Sequence, residues 1–291
     1  MATDKLKLPS YGGQALIEGV LMRGSHWVAA AYRNPQGEIV IDKEELTGIY
    51  KTRLAKAPFL RALVILWDSL GLGTRFLTKS ANVQTGETEK IEGPMLFGTL
   101  FISFAIAIGL FFLAPAALIH FLQAPLHLSV LGGNLIEGLI RLVLIILYVW
   151  AVGRMPDIHR VFSYHGAEHK TINAFEDGAE LTPESVQKYS IHHTRCGTGF
   201  ILILAVFSII VFALLGPLSL GWRLVTRVVL IPVIAMLAYE YMRFVANHQD
   251  VRLFQWLAQP NLAMQRLTTV EPGLDMIEVA IASFNAMYEE E

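Results

Sequence analysis

Two histidines and one glutamate in a short stretch have the spacing of a metal-binding helix. His165, Glu168 and His169 stand in the order His-x-x-Glu-His. On a helix, residues four apart lie on one face, so both imidazoles can reach a single divalent ion with Glu168 beside them. A carboxylate in that position can take a proton from metal-bound water, as in the metallopeptidases that carry this order. The stretch predicts a metal site with Glu168 as catalytic base.

A second group of metal-binding side chains follows about two dozen residues later. It contains His192, His193 and Cys196, the single cysteine of the chain, and any of them could complete a three-ligand site. A thiolate beside imidazoles favours zinc or iron over magnesium, so the expected cofactor is divalent zinc or iron. The alternative is a polar helix at the membrane surface whose histidines bind backbone carbonyls or lipid headgroups. For Cys196, the alternative is a small buried residue.

Four further side chains are candidates for supporting roles. Arg195 could bind an anionic substrate group or a lipid phosphate, or serve as a topology anchor at the membrane surface. Asp157, His159 and Glu176 are candidate partners of the ligands, because metal-bound histidine usually donates its other N–H to a carboxylate or a carbonyl.

The composition indicates an integral membrane protein. The chain has 291 residues, of which 54% are hydrophobic and 16% are charged, whereas soluble domains are about a quarter charged. A net charge of -2 gives no reason to expect nucleic acid binding. One cysteine excludes an intrachain disulfide and fits a reducing compartment. The first ten residues have no apolar segment typical of a cleavable signal.

Apolar segments define the expected architecture, a mainly α-helical polytopic membrane protein with four transmembrane helices. An amphipathic helix lying in the interface and a small N-terminal β-rich unit complete it. The predicted spans are Met95–Leu122, Leu135–Val152, Phe200–Leu220 and Leu224–Phe244. Because the connections within each pair are short, the four spans should form two helical hairpins.

The predicted organisation follows from these segments. In chain order it comprises a cytoplasmic β-rich unit (1–57), an interfacial helix and linker (58–94), a first transmembrane hairpin (95–153), the cytoplasmic His/Glu/Cys segment (154–199), a second hairpin (200–244) and cytoplasmic C-terminal helices (245–291).

The helix at Pro58–Phe76 carries Arg61, Asp68 and Arg75. These charges favour a helix that lies in the membrane interface, and a helix that crosses the membrane is the alternative. A polar linker is expected at Thr78–Gly93. The C-terminal part should contain a surface helix at Asn247–Arg266 and an amphipathic helix at Met276–Tyr288.

Lysine and arginine counts predict the orientation. Residues 1–94 hold twelve of them, the connection Gln123–Asn134 holds none, and Gly153–Gly199 holds five. Both termini and the histidine segment should then be cytoplasmic. Arg223 and Arg227 do not fit this orientation, because it places them at the outer end of the last hairpin. The excess of lysine and arginine in the N-terminal part is larger and decides the prediction.

Ionisable residues within the spans are expected to lie inside the protein. Glu137 and Arg141 are four residues apart in the order that favours an ion pair, and Arg227 should reach the same half of the bilayer. Glu240 lies near the inner end of the fourth span. These residues form either structural ion pairs or a polar path for an ion or a proton.

Several longer motifs resemble one family. They are YGGQALIEGVLMRG (11–24), YHGAEHK (164–170), HTRCG (193–197), and QRLTT (265–269) followed by Glu271-Pro272. The chain is similar to the YqhQ-like bacterial membrane proteins, a family of unknown function labelled as metal-dependent enzymes. The resemblance implies the bacterial inner membrane and favours His193 over His192 as a ligand. Thr194 replaces a proline of the family pattern, which changes backbone stiffness and no ligand.

Two functions follow from these observations. The first is a membrane-embedded metal-dependent hydrolase acting on a lipid-soluble or membrane-protein substrate at the cytoplasmic interface. The alternative is a non-catalytic channel, transporter subunit or assembly scaffold with a structural His/Cys segment. The expected partners are the lipid bilayer and either other membrane proteins or further copies of the chain.

Overall fold

A computed structural model describes residues 11–47, 57–85 and 93–291. The stretches 1–10, 48–56 and 86–92 lie outside these ranges. Part of the N-terminal unit, part of the linker and the expected absence of a signal peptide therefore fall outside the described residues. The side chain of Asp68 is also outside the described part.

The described chain is mostly helical with one small N-terminal sheet, as predicted. In chain order, the strands are β1 (Gly12–Leu16), β2 (Gly19–Arg23), β3 (Trp27–Arg33) and β4 (Ile39–Glu45), and the helices are α1 (Leu60–Thr85), α2 (Pro94–Ile108), α3 (Ala114–Gln123), α4 (Val130–Val152), α5 (Pro156–Glu176), α6 (Pro183–Val186), α7 (Phe200–Ala213), α8 (Leu220–Val229), α9 (Ile231–Asn247), α10 (Arg252–Leu257), α11 (Gln259–Thr268) and α12 (Leu274–Tyr288).

The sheet is an antiparallel meander in the order β1-β2-β3-β4. Leu16 pairs with Gly19, so the first hairpin turns through two residues, and Glu18 has a positive φ of 52° there. The turn around Gly37 closes the last hairpin, since Gly37 donates to the carbonyl of Asn34 at 2.9 Å. Strand β2 is buried on both faces, which explains why its sequence is too apolar for a solvated strand.

Two helical layers cover the sheet. Val20 and Met22 face α5 and α12 in one apolar core, where Phe284 is fully buried. Leu16 and Leu21 face the opposite way and pack with Phe76 of α1. The expected C-terminal amphipathic helix therefore lies against the sheet, and the N-terminal unit shares its core with α5 and α12.

Helix α1 is longer than predicted, because part of the expected polar linker is helical. Ser80 is buried and accepts the backbone N–H of Ile17 at 3.2 Å. Gln84 donates to the carbonyl of Arg33. The polar side chains after Phe76 therefore attach the helix to the sheet. At the other end of α1, Arg61 pairs with Glu240 of α9, with Nε at 2.7 Å from Oε1.

Two helical segments are long and apolar enough to cross a membrane, Leu96–Gln123 and Val130–Val152. The pair α8 and α9 gives a third if the two helices count as one span, bent by 43°. The expected third span ends early, because α7 stops at Ala213 after 14 residues, about 21 Å of helix against a ~30 Å hydrocarbon core. Leu220, expected at its end, begins α8 instead. The first span contains a π-helical turn at Gly109–Leu113 just before Pro115.

Candidate metal centre

Helix α5 carries the His-x-x-Glu-His motif through the interior of the protein. Every residue from Ser163 to Ile172 is buried, so the motif is not exposed at a surface. Its two histidines do contact backbone carbonyls, as the alternative interpretation also expects. Gly166 permits this packing, because a Cβ there would lie 2.2 Å from the carbonyl oxygen of Val270. The close approach brings the segment after α11 against the motif.

The folded chain brings His165, His169 and Cys196 into one buried group. One ligand atom from each lies within 4.8 Å of the others. The Nε2 atom of His165 is 3.3 Å from Sγ of Cys196, and the two imidazole centroids are 4.3 Å apart. Tetrahedral coordination at ~2.0–2.3 Å separates ligand atoms by roughly 3.5 Å. The donor set and its spacing fit a thiophilic divalent ion.

Backbone carbonyls set the tautomer of both imidazoles. Nδ1 of His165 lies 2.8 Å from the carbonyl oxygen of Thr268, and Nδ1 of His169 lies 2.6 Å from that of Ile191. A carbonyl only accepts, so each Nδ1 is protonated and each Nε2 keeps its lone pair. Nε2 of His169 is buried without a hydrogen-bond partner among the described residues. Both rings are thus prepared to coordinate through Nε2.

Burial keeps these groups uncharged when no cation is present. It lowers the pKa of His165 and brings the pKa of His169, further lowered by the neighbouring His165, to about 2. Burial also raises the pKa of the Cys196 thiol to about 12, with a smaller contribution from the charge of Glu168. Neutral imidazoles can bind a metal ion through their free nitrogen. A cation bound in the group would also stabilise the Cys196 thiolate and so lower the pKa of the thiol.

Glu168 is buried between the helix and strand β1. The backbone of Gly13 hydrogen-bonds to it, but burial is the larger effect and raises the carboxyl pKa to about 8. Its Oε2 atom has no hydrogen-bond partner among the described residues. A Cβ on Gly13 would lie 3.0 Å from Cδ of Glu168, so glycine at this position leaves room for the carboxylate.

Side chains of α5 hold the segment that leads to Cys196. Lys170 is buried and its ammonium donates to the carbonyls of Gln187 and Tyr189, each at 2.7 Å. Asn173 donates to the carbonyls of Ser190 at 2.8 Å and His192 at 3.0 Å. Together with the His169–Ile191 contact, these bonds fix the path of residues 187–192 against the helix.

Gln265 of α11 holds the next residue from the other side. Its Oε1 accepts the N–H of His193 at 3.0 Å, and its Nε2 donates to the carbonyl of His193 at 2.8 Å. Gln265 is fully buried, so no water replaces these bonds if the side chain is lost.

Replacing Gln265 by leucine is expected to destabilise the protein by about 1–3 kcal/mol for each backbone group left unsatisfied. Chemical unfolding of the detergent-purified protein measures the loss. Gln259→Leu, at an exposed position of the same helix, is the matched control. A loss below about 0.5 kcal/mol in Gln265→Leu would contradict the assigned role.

His193 lies beside the group, with its Nε2 directed elsewhere. Its ring centroid is 5.9 Å from that of His169, and its Nε2 is 3.5 Å from Oε2 of Glu176. The other oxygen of Glu176 pairs with Arg195. These three residues form a polar cluster next to the candidate centre. The structure groups Cys196, and not His193, with His165 and His169.

The remaining sequence candidates lie elsewhere. Asp157 and His159 are exposed on the first turns of α5. Glu137, Arg141 and Arg227 meet near the start of α4, one of the helices long and apolar enough to cross a membrane, and Arg141 and Glu137 pair there at 2.9 Å. Glu240 pairs with Arg61, as described above.

A half-open cavity of about 770 Å³ gives access to the candidate centre. Its lining includes His165, Glu168, His169 and Cys196, together with Tyr239 and other residues of α9 and residues of α1. Its size is that of a ligand pocket. The arrangement therefore allows a small molecule or a chain segment to reach the three ligand atoms.

The carbonyls of Ile191 and Thr268 have no signature in the sequence, because every residue type offers a carbonyl. Gln265 and Thr268 did carry a signal, since both lie in a motif shared with the resembling family. That signal gave no role to either residue.

Comparison with known proteins identifies the family. The family model described as "Protein of unknown function (DUF1385)" matches residues 57–290. The chain is 34% identical over 294 residues to the uncharacterized protein YqhQ of Bacillus subtilis (strain 168), covering 96% of this chain and 92% of that protein. No solved structure matches the chain. The resemblance drawn from the motifs is confirmed, and the chain belongs to the DUF1385 family of proteins of unknown function.

Proposed function

We propose that the chain is a membrane metalloenzyme that binds one divalent ion through His165, His169 and Cys196. The buried Nε2 of His169 carries the proposal, because it faces two other ligand atoms and has no partner of its own among the described residues. An unpaired buried nitrogen costs roughly 1–3 kcal/mol. A bound ion supplies the missing partner.

Zinc or iron suits this donor set best. Two imidazoles and one thiolate are borderline-to-soft ligands, which magnesium and calcium disfavour. Three protein ligands leave a coordination position open for water or substrate, as in catalytic zinc sites. The bound ion would polarise that water.

Hydrolysis is the reaction that the surrounding residues support. Glu168 lines the same cavity as the three ligands and has one oxygen free of hydrogen bonds among the described residues. In its deprotonated form, which a bound cation nearby would favour, it is placed to take the proton of an attacking water. The substrate would be an amide, an ester or a phosphoester, presented by a lipid-soluble molecule or a membrane protein through the cavity between α1 and α9.

The membrane arrangement proposed here has four spans. Two segments meet the length and apolarity of a span, and α8 with α9 would form another. Helix α7 would complete the second hairpin, although its 14 residues need a thin or locally distorted bilayer. Both termini and α5 would be cytoplasmic in a bacterial inner membrane, by the distribution of lysine and arginine.

Metal analysis of the purified protein tests the centre. We expect about one zinc or iron per chain in the wild type, and less than roughly a tenth of that in His165→Ala and His169→Ala. His159→Ala removes an exposed histidine from the same helix and should keep the metal. Gel filtration of each variant shows whether it is folded.

Cys196→Ser supplies an independent readout. Cobalt-loaded wild type should show a sulfur-to-cobalt charge-transfer absorption that the serine variant lacks. Equal metal content in all variants, or a wild type that takes up no metal when zinc is added, would rule out the proposed centre.

A further inference from the structure

The structure contains a second polar centre, inside the membrane region, which is built around the Glu137–Arg141 ion pair expected from the sequence. Three guanidinium groups, those of Arg141, Arg223 and Arg227, surround the carboxylate of Glu137. Arg141 and Arg223 each approach a Glu137 oxygen at 2.9 Å, and Arg227 approaches at 2.8 Å. All four residues are buried. Among the described residues, Glu137 is the one carboxylate paired with these arginines, so the group carries two surplus positive charges.

Polar atoms and aromatic rings offset part of this surplus. Arg141 donates to the carbonyl of Phe111 at 2.9 Å and to the hydroxyl of Ser208 at 2.7 Å. The ring of Phe212 lies under both Arg141 and Arg227. Such contacts are worth far less than a second anion in a region of low dielectric constant. Two unneutralised charges at membrane depth are a functional signal.

The surplus charge faces a cavity. A half-open volume of about 610 Å³ is lined by Arg223 and Arg227, together with Asn134, Gln123, His120 and His127. It lies where the connection from α3 to α4 meets the connection from α7 to α8. The candidate metal centre is beyond the opposite end of α4, so the two sites are separate.

We propose that this cavity binds a phosphate group. Asn134 helps to fix the orientation of both guanidinium groups. Its Oδ1 atom accepts hydrogen bonds from Arg223 at 3.4 Å and from Arg227 at 3.1 Å. Arginine forks match the geometry of phosphate oxygens, and one phosphate would neutralise most of the surplus. The phosphate could belong to an anionic lipid headgroup or to a soluble phosphate. The proposal does not depend on the metal centre.

Gln123→Glu is the test variant. The Oε1 atom of Gln123 accepts a hydrogen bond from Nη1 of Arg223 at 3.1 Å. Glutamate at this position keeps the hydrogen bond and adds a negative charge. The variant therefore imitates the ligand. Without phosphate it should unfold at the same temperature as the wild type or higher. Its binding of phosphate should be about tenfold weaker or worse, because the two anions repel each other.

Two arms separate the sources of the phosphate. In the first, inorganic phosphate is titrated into delipidated protein in detergent, with chloride at equal ionic strength as reference, and the unfolding temperature is followed. In the second, native mass spectrometry counts lipids retained from nanodiscs of phosphatidylglycerol or phosphatidylcholine. Stabilisation by phosphate indicates a soluble ligand, and selective retention of phosphatidylglycerol indicates a headgroup.

The matched control is Gln36→Glu, which makes the same change of charge at an exposed turn and should behave as the wild type in both arms. The proposal is overturned if neither arm shows binding by the wild type, if Gln123→Glu binds as well as the wild type, or if Gln123→Glu is destabilised. The metal content of the same samples should equal that of the wild type, because the two sites are separate.

Discussion

Replacing Glu168 by glutamine is expected to slow hydrolysis at the candidate metal centre by about 10²–10⁴-fold. Glutamine has the same shape and still accepts a hydrogen bond from Gly13, but its amide cannot take a proton from water. The three proposed ligands are untouched, so metal content should not change. This combination of lost rate and retained metal separates a base from a ligand.

The assay uses zinc-loaded protein in detergent micelles with a panel of chromogenic esters and phosphodiesters. Glu184→Gln makes the same chemical change at an exposed site between α5 and Cys196 and should keep the wild-type rate. The unfolding temperature of Glu168→Gln should not fall, because burial raises the pKa of Glu168 to about 8 and the substitution replaces a buried neutral carboxyl by a neutral amide of the same shape. Equal rates for Glu168→Gln and the wild type would exclude Glu168 as the base.

The sequence predicts the parts of this site that depend on local spacing. His165 and His169 share a face because residues four apart on a helix always do. The last hairpin of the N-terminal sheet could be predicted from the turn residues Asn34-Pro35-Gln36-Gly37 and from the alternating polarity of Glu38–Asp42. Each of these inferences needs contacts only between residues close in the chain.

Other parts depend on contacts between distant segments. The tautomer of His165 is set by the carbonyl of Thr268, more than a hundred residues away. The choice of Cys196 over His193 depends on how Gln265 and Asn173 hold the backbone of the intervening loop. No periodicity in the sequence encodes these distances, so the sequence left the third ligand open.

The arginine cluster shows how a sequence rule can conceal a site. By the distribution of positive charge, Arg223 and Arg227 were exceptions, although Arg227 was also expected in the same half of the bilayer as Glu137 and Arg141. In the structure they turn inward to Glu137, and their charge is buried with that carboxylate instead of being exposed to solvent. The exception to the topology rule was the sequence signal for the cluster.

Removing the carboxylate at the centre of that cluster is expected to have the largest effect on stability. Glu137→Ala should destabilise the protein by about 3–5 kcal/mol, because it leaves three buried guanidinium groups without a counterion. Thermal unfolding in detergent, with folded protein measured by gel filtration, gives the change. Glu180→Ala, at an exposed position after α5, is the control and should stay within about 0.5 kcal/mol of the wild type.

Two further variants test whether charge, and not side-chain volume, causes the loss of stability. Glu137→Gln keeps an acceptor for the guanidinium groups and removes only the charge, so it should remain well below the wild type in stability. Adding Arg141→Leu to Glu137→Ala removes one uncompensated charge and should recover part of the loss, since the pair interacts directly at 2.9 Å. If Glu137→Gln is as stable as the wild type, or the double variant is no better than Glu137→Ala, the buried charges do not control the stability of this region. Phosphate should also partly restore Glu137→Ala, because an anion in the adjacent cavity would take over some of the missing negative charge.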